Sequence, residues 1–178
     1  MRLLAALLGS IIILLFPVPA EAAPTGARTV TLARTVGVDI SVPASVNLGS
    51  GIVGNSLTGQ LGPVEVRDSR GPVNPNVWIA TVSATVFITG AGGAQRTIAN
   101  GQVFYSSGPA VRSTGGGILV PGQLTAAQAV SLSATREAFR KTSGNGNNTV
   151  VWVPTIRVAI PTGVIGGTYR GVITHSVA

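Results

Sequence analysis

The chain has 178 residues, with 12 Lys or Arg against 5 Asp or Glu, a net charge of +7 and no cysteine. Without cysteine, disulfides, cysteine-ligated metal sites and a lipid anchor on an N-terminal cysteine are excluded. The positive charge is scattered mostly as single arginines, with only Arg136, Arg140 and Lys141 clustered, and aromatics make up only 4% of the chain, which is unlike a nucleic-acid surface; the few charges and high apolar content also exclude a disordered chain.

Met1-Arg2, the apolar run Leu3–Phe16 and the small residues of Ala20-Glu21-Ala22 have the layout of a secretory signal peptide. The run of 14 residues is short for a membrane span. Cleavage after Ala22 or Ala23 is therefore expected, with no stable span left behind and about 155 residues to form one domain. The expected organisation is a signal peptide over 1–23, a lead-in over 24–35 and a single domain over 36–178.

Within the lead-in, Thr29–Leu32 could form an edge strand. Val36–Val42 alternates apolar and polar residues and stops at Pro43, as a strand does. Leu57–Asp68 reads as the next strand, with Val64 and Val66 on one side and Glu65 and Arg67 on the other. Asp68-Ser69-Arg70-Gly71-Pro72 has turn composition, since Asp bonds its local backbone and Gly supplies a left-handed conformation. Val77–Thr89 is the clearest stretch: Trp78, Ala80, Val82, Ala84, Val86 and Ile88 occupy one parity, and its β-branched content predicts a central strand.

Asn100-Gly101 is a favoured hairpin dipeptide, predicting paired strands over Arg96–Asn100 and Gln102–Tyr105. Val111–Gly117 and Ile118–Pro121 supply short strands. Leu124–Lys141 mixes helix-forming segments with the alternation of Val130–Thr135, and is read as a strand. Thr149–Ile160 is a second long strand with Trp152 and Pro154 on its apolar parity, Arg157 opposite, and a bulge or edge at Pro154. Thr168–Val177 closes the chain as a strand carrying Tyr169, Ile173 and Val177. About nine short strands with Gly, Pro and Asn turns predict an all-β fold, an antiparallel two-sheet β-sandwich of Ig-like type.

Val66-Arg67-Asp68-Ser69-Arg70-Gly71 followed by Trp78-Ile79-Ala80 resembles the first motif region of WxL-domain cell-surface proteins, where an Asp-x-Arg-Gly turn precedes a Trp-x-Leu strand. Val158–Gly163 and Gly167-Thr168-Tyr169 resemble that domain's closing strands, and the likeness covers most of Ile40–Ala178. The leucine of the first motif is missing and the second motif is absent, so the nearer resemblance is to secreted WxL-like proteins of actinobacteria. The resemblance implies non-covalent binding to the bacterial wall. It marks Asp68, Gly71, Trp78, Trp152 and Tyr169 as structural motif positions.

Catalytic chemistry is hard to assemble. After signal cleavage four carboxylates remain (Asp39, Glu65, Asp68, Glu137) with one histidine, His175. There is no Gly-x-Ser-x-Gly elbow for a nucleophilic serine, and the carboxylates share no spacing that would pair two of them. His175 is read as a partly exposed strand-end residue, and Trp78 and Trp152 as core rather than sugar platforms. Gly115-Gly116-Gly117 lacks the lysine of a phosphate loop, so no catalytic residue, metal or cofactor is expected. The expected function is a secreted, non-enzymatic protein on the cell envelope, contacting cell-wall polymer or other surface proteins through Arg67, Arg70, Arg157 and Arg170. A module assembling through strand edges into a surface layer or fibre is the alternative, and a hydrolase the third reading.

Overall fold

The computed structural model describes residues 37–178. The expected signal peptide, and the lead-in with its edge strand, lie outside the described residues. Fourteen short strands and three single-turn 3-10 helices follow one another among the described residues. The fold is all-β, and every pairing is antiparallel.

The first sheet has the order β1-β3-β12-β8, from β1 (Val38–Ser41), β3 (Val64–Asp68), β12 (Asn148–Trp152) and β8 (Ala110–Thr114). The second is β10-β7-β13-β2, from β10 (Val130–Ser131), β7 (Val103–Ser106), β13 (Thr155–Ala159) and β2 (Ser56–Gln60). The third is β14-β4-β11-β9, from β14 (Ile173–Val177), β4 (Trp78–Ala84), β11 (Arg136–Lys141) and β9 (Leu119–Pro121). A two-stranded ladder pairs β5 (Phe87–Ile88) with β6 (Thr97–Ile98).

Two stretches that read as single strands are each divided between sheets. Leu57–Asp68 breaks at Leu61-Gly62-Pro63 into β2 and β3, and Thr149–Ile160 breaks at Val153-Pro154 into β12 and β13. Proline offers no N–H to a ladder, so the chain changes partners there. The two breaks meet, because the Leu61 N–H donates to the Pro154 carbonyl at 3.0 Å. Gly62 turns its corner at φ +83°, with Pro43 packed against it.

The central strand is shorter than its alternation. Trp78, Ala80 and Val82 are buried, but Val86 and Ile88 are exposed. The chain leaves the ladder after Ala84, so β5 pairs with β6 instead. Asn100-Gly101 makes no hairpin: it begins a 3-10 turn, Asn100–Gln102, closed by Gln102 N–H to the Ala99 carbonyl. Its Gly101 is outside the positive-φ glycines that a tight hairpin turn would require.

The ambiguous stretch resolves into a 3-10 turn at Ala126–Gln128 with a capping box from Thr125, then β10 and β11. A bulge between Glu137 and Phe139 sets the register of β11, so that Phe139 and Lys141 lie opposite the buried Ala80 and Trp78. One continuous core results, joining Val38, Val66, Trp78, Tyr105, Phe139, Trp152 and Ile156. At its centre the Phe139 and Trp152 rings stack at 4.9 Å. Large aromatic areas buried this way dominate core energetics.

Candidate functional site

Two places bring polar chemistry out of this apolar frame. The first is a knot at the end of β3. Asp68 is buried, and both its oxygens are fully used. Oδ1 accepts from the Arg70 backbone N–H at 3.1 Å and Arg70 Nε at 3.0 Å; Oδ2 accepts from Arg70 Nη2 at 2.9 Å and Asn148 Nδ2 at 3.3 Å. Arg70 Nη2 also donates to Asn76 Oδ1 and to the Val77 carbonyl, both at 2.8 Å. Asn76 Nδ2 donates to the Gly146 carbonyl at 2.9 Å, and Trp78 Nε1 to Asn148 Oδ1 at 3.1 Å.

Burial opposes charge on Asp68, yet the hydrogen bonds and positive charge of Arg70, with the bond from Asn148, hold its carboxyl below the ordinary value. A carboxylate offers about four acceptor positions, and here four donors engage them. Nothing remains to take a proton from a substrate. The knot is therefore structural, tying the loop after β3 to the loop before β12.

The second place is a cavity of about 810 Å³. Its walls are the loop after β1, residues 42–51, and the loop 164–172 before β14; the side chains of Leu57, Ile156, Val158 and Ile98 face it from the strands. The close approach of Gly171 to the Phe87 ring narrows one side, where a Cβ would come within 2.8 Å of the ring. Tyr169 fixes the loop by donating to the Ile165 carbonyl at 2.8 Å. Among the described residues no carboxylate lines the cavity, and its cationic or cation-forming side chains are Arg170 and His175.

His175 corrects the expectation of a partly exposed strand end. It is buried in the middle of β14, opposite Val82 of β4. Trp152 Nε1 approaches the Tyr105 hydroxyl at 3.1 Å, and that hydroxyl lies 3.2 Å from His175 Nε2. An indole N–H only donates, so the hydroxyl accepts from Trp152; which of the hydroxyl and His175 Nε2 donates to the other follows the imidazole tautomer. Burial lowers the His175 pKa to about 4 and raises that of Tyr105 far above its ordinary value. Both are neutral near pH 7.

The four arginines named from the sequence do not gather at either place. Arg67 is on β3 in the first sheet, opposite Asp39 and Thr149. Arg70 is held in the Asp68 knot. Arg157 is on β13 in the second sheet, stacked 4.1 Å from the centroid of the Phe104 ring. Arg170 bridges to Ile88 and lines the cavity. Of the motif positions, Asp68, Gly71, Trp78 and Trp152 lie in or beside the knot and core, and Tyr169 holds the cavity loop.

Sequence reasoning passed over Tyr105 and Lys141. The alternation of Val103 and Tyr105 is a signal that could have turned Tyr105 inward, but its hydrogen-bond partners come from strands 47 and 70 residues away. Lys141 is buried by the bulge in β11, and its Nζ has no hydrogen-bond partner among the described residues. Among the described residues no group of three or more His, Asp or Glu side chains could hold a metal ion. No helix there is long and apolar enough to cross a membrane.

No protein-family model matches the sequence, and no curated protein matches it. Among solved structures the chain is similar to a family 123 glycoside hydrolase from Clostridium perfringens, described for glycolipid glycan hydrolysis. The TM-score is 0.36 at 16% identity, covering 71% of this chain and 19% of that one. This chain thus spans about a fifth of that protein's length. The neighbour is described as a hydrolase. The expectation of a non-enzymatic envelope protein that binds wall polymer, or assembles by strand edges, is withdrawn. At this TM-score the likeness transfers no activity either.

Proposed function

We propose that this protein is a non-catalytic binding module that takes a small, largely apolar molecule into the cavity beside β13 and β14. The observation that carries this is a space of about 810 Å³ whose lining is more apolar than polar, with the buried His175 among its lining residues. Ligand sites are commonly concave and apolar with a few convergent polar groups that set orientation, and span roughly 300–1,000 Å³. The absence of catalysis in this reading rests on the saturated acceptors of Asp68 and on the partner of His175, a tyrosine in place of an acid. The finer architecture of the reading is an Ig-like sandwich, supported by three antiparallel ladders closing on one core. Export through the 1–23 leader, and kinship with the WxL-like secreted proteins, belong to the same proposal and rest on the sequence.

The test is titration with the fluorescent apolar probe N-phenyl-1-naphthylamine. Saturable binding at one site is expected. Leu57→Trp, which places an indole in the cavity from an edge strand, should weaken it by at least tenfold without lowering the melting temperature. Non-saturable uptake, or equal binding by the filled variant, would refute the reading.

A further inference from the structure

One end of the molecule is apolar and uncharged on a strongly basic chain. No acidic or basic side chain occurs from Ile40 to Val64 or from Val158 to Tyr169, although the net charge is +7. Both segments run past the same end of the β2–β13 ladder, where Ser56 faces Ala159. There the Asn55 N–H donates to the Ile52 carbonyl at 3.0 Å and closes a tight turn, with Gly54 at φ +85°. Turn tips are ordinarily polar, yet Ile52 is 72% exposed and Val53 beside it is exposed as well. The turn is tied to the second segment, since the Gly54 N–H donates to the Ile160 carbonyl at 3.0 Å and the Ile160 N–H to the Asn55 carbonyl at 2.8 Å. That segment carries a further exposed apolar side chain, Ile165, and Val53 and Ile165 both line the cavity. Basic residues flank these tips. The Ile165 N–H donates to the Gln95 carbonyl at 2.9 Å, which brings the exposed Arg96 next to the loop. Arg96 Nη1 lies over Gly90, 3.2 Å from where a Cβ would stand, and makes no ion pair among the described residues. Arg170 is exposed at the other end of the same loop.

We infer that this end of the molecule docks on an anionic lipid surface, with Ile52, Val53 and Ile165 entering the acyl boundary and Arg96 beside the headgroups. Exposed aliphatic side chains next to basic residues, with no acid in either segment, are complementary to such a surface. The apolar tips gain by burial in the acyl layer, and each arginine is drawn to anionic headgroups. A second copy of the chain is a poor occupant, because it brings two bodies of charge +7 together. The apolar residues sit on turns and not in a groove, and a fluid layer accepts them without a matching shape. Docking sets the cavity, which lies between the same two loops, against hydrocarbon. The inference goes beyond the container reading and does not require it.

The experiment places an indole at each tip of the full chain, as Ile52→Trp and Ile165→Trp, with Val111→Trp on the exposed strand β8 as the reference position. All three positions are exposed, so the fold tolerates the ring, and the native Trp78 and Trp152 are buried and give a constant background. Each variant is mixed with vesicles of phosphatidylglycerol brominated on its acyl chains. Bromine quenches only an indole that enters the layer, so the apolar run Leu3–Phe16, common to all three, does not decide the result. Quenching is expected for Ile52→Trp and Ile165→Trp and not for Val111→Trp. Adding Arg96→Gln to Ile52→Trp should raise the lipid concentration at half-quenching about fivefold, the worth of one basic residue at an anionic surface. Brominated phosphatidylcholine should quench the tips less than phosphatidylglycerol does. Equal quenching at all three positions, none at either tip, or the same half-quenching with phosphatidylcholine would each overturn the inference. None of these outcomes touches naphthylamine binding in lipid-free solution, so the container reading stands or falls separately.

Discussion

Asp68 and Lys141 show how differently two buried charged side chains are treated in one protein. Asp68 has four donors on its two oxygens, and removing a partner from such a set leaves the others desolvated and unpaired. Asp68→Asn should therefore destabilise the fold by roughly 3 kcal/mol in urea titration. Lys141 has no partner at Nζ among the described residues; desolvation lowers its pKa, and nearby Arg70 works in the same direction against the pull of Asp68. An apolar side chain of equal length removes that cost, so Lys141→Met should raise the melting temperature or leave it unchanged. A marked fall would show that the amine is satisfied by water. His175 supplies the pH dependence. Its folded value of about 4 lies below the 6.5 of a free imidazole, so the unfolded chain binds the extra proton first. Stability is complete above pH 6.5 and declines as pH falls towards 4, by roughly 3 kcal/mol. Asp68, also depressed, adds its own loss only at more acid pH, below its ordinary 3.8. Melting curves across pH 7 to 4 should slope for wild type and lie flat for His175→Phe. Parallel slopes would remove His175 as the cause.

At the scale of elements, the decisive positions are the places where a strand stops. Pro154 ends β12 and lets β13 begin in another sheet, and the Leu61-Gly62-Pro63 corner does the same between β2 and β3. The bond from Leu61 to Pro154 joins the two corners. Gly62→Ala would force a Cβ into left-handed backbone and to 2.9 Å from the Pro43 ring. A loss of roughly 1–2 kcal/mol is expected from the backbone alone, read as a lower urea midpoint at unchanged slope. Because the corner lies next to the cavity walls, the same variant should also weaken uptake of the naphthylamine probe. The bulge in β11 is the other such device: it aligns Phe139 with Ala80 and brings the ring onto Trp152. Phe139→Ala should cost about 3–5 kcal/mol, the usual range for a deleted core aromatic.

Across the whole molecule, the two-residue rhythm carried the fold class. Val64 with Val66, Trp78 with Ala80 and Val82, and Val150 with Trp152 are buried because alternation turns one parity of a strand inward wherever the strand ends up. The all-β character and antiparallel pairing were legible for that reason. Alternation persists through a change of sheet, however, so it could not reveal that Leu57–Asp68 and Thr149–Ile160 are each two strands, nor that Val86 and Ile88 have left the ladder. Asn100-Gly101 misled because a local dipeptide preference yields to the partners that longer-range packing provides; β6 found β5 and β7 found β13. The candidate site was almost wholly invisible. Its relay joins Trp152, Tyr105 and His175 from three strands, and its cavity exists only where residues 42–51 meet 164–172. Local chemistry, a hydroxyl beside a valine or a histidine among threonine and serine, is determined by the chain. Which proton each group holds, and what space it faces, was decided by contacts between residues far apart in sequence, and only the folded arrangement brings them together.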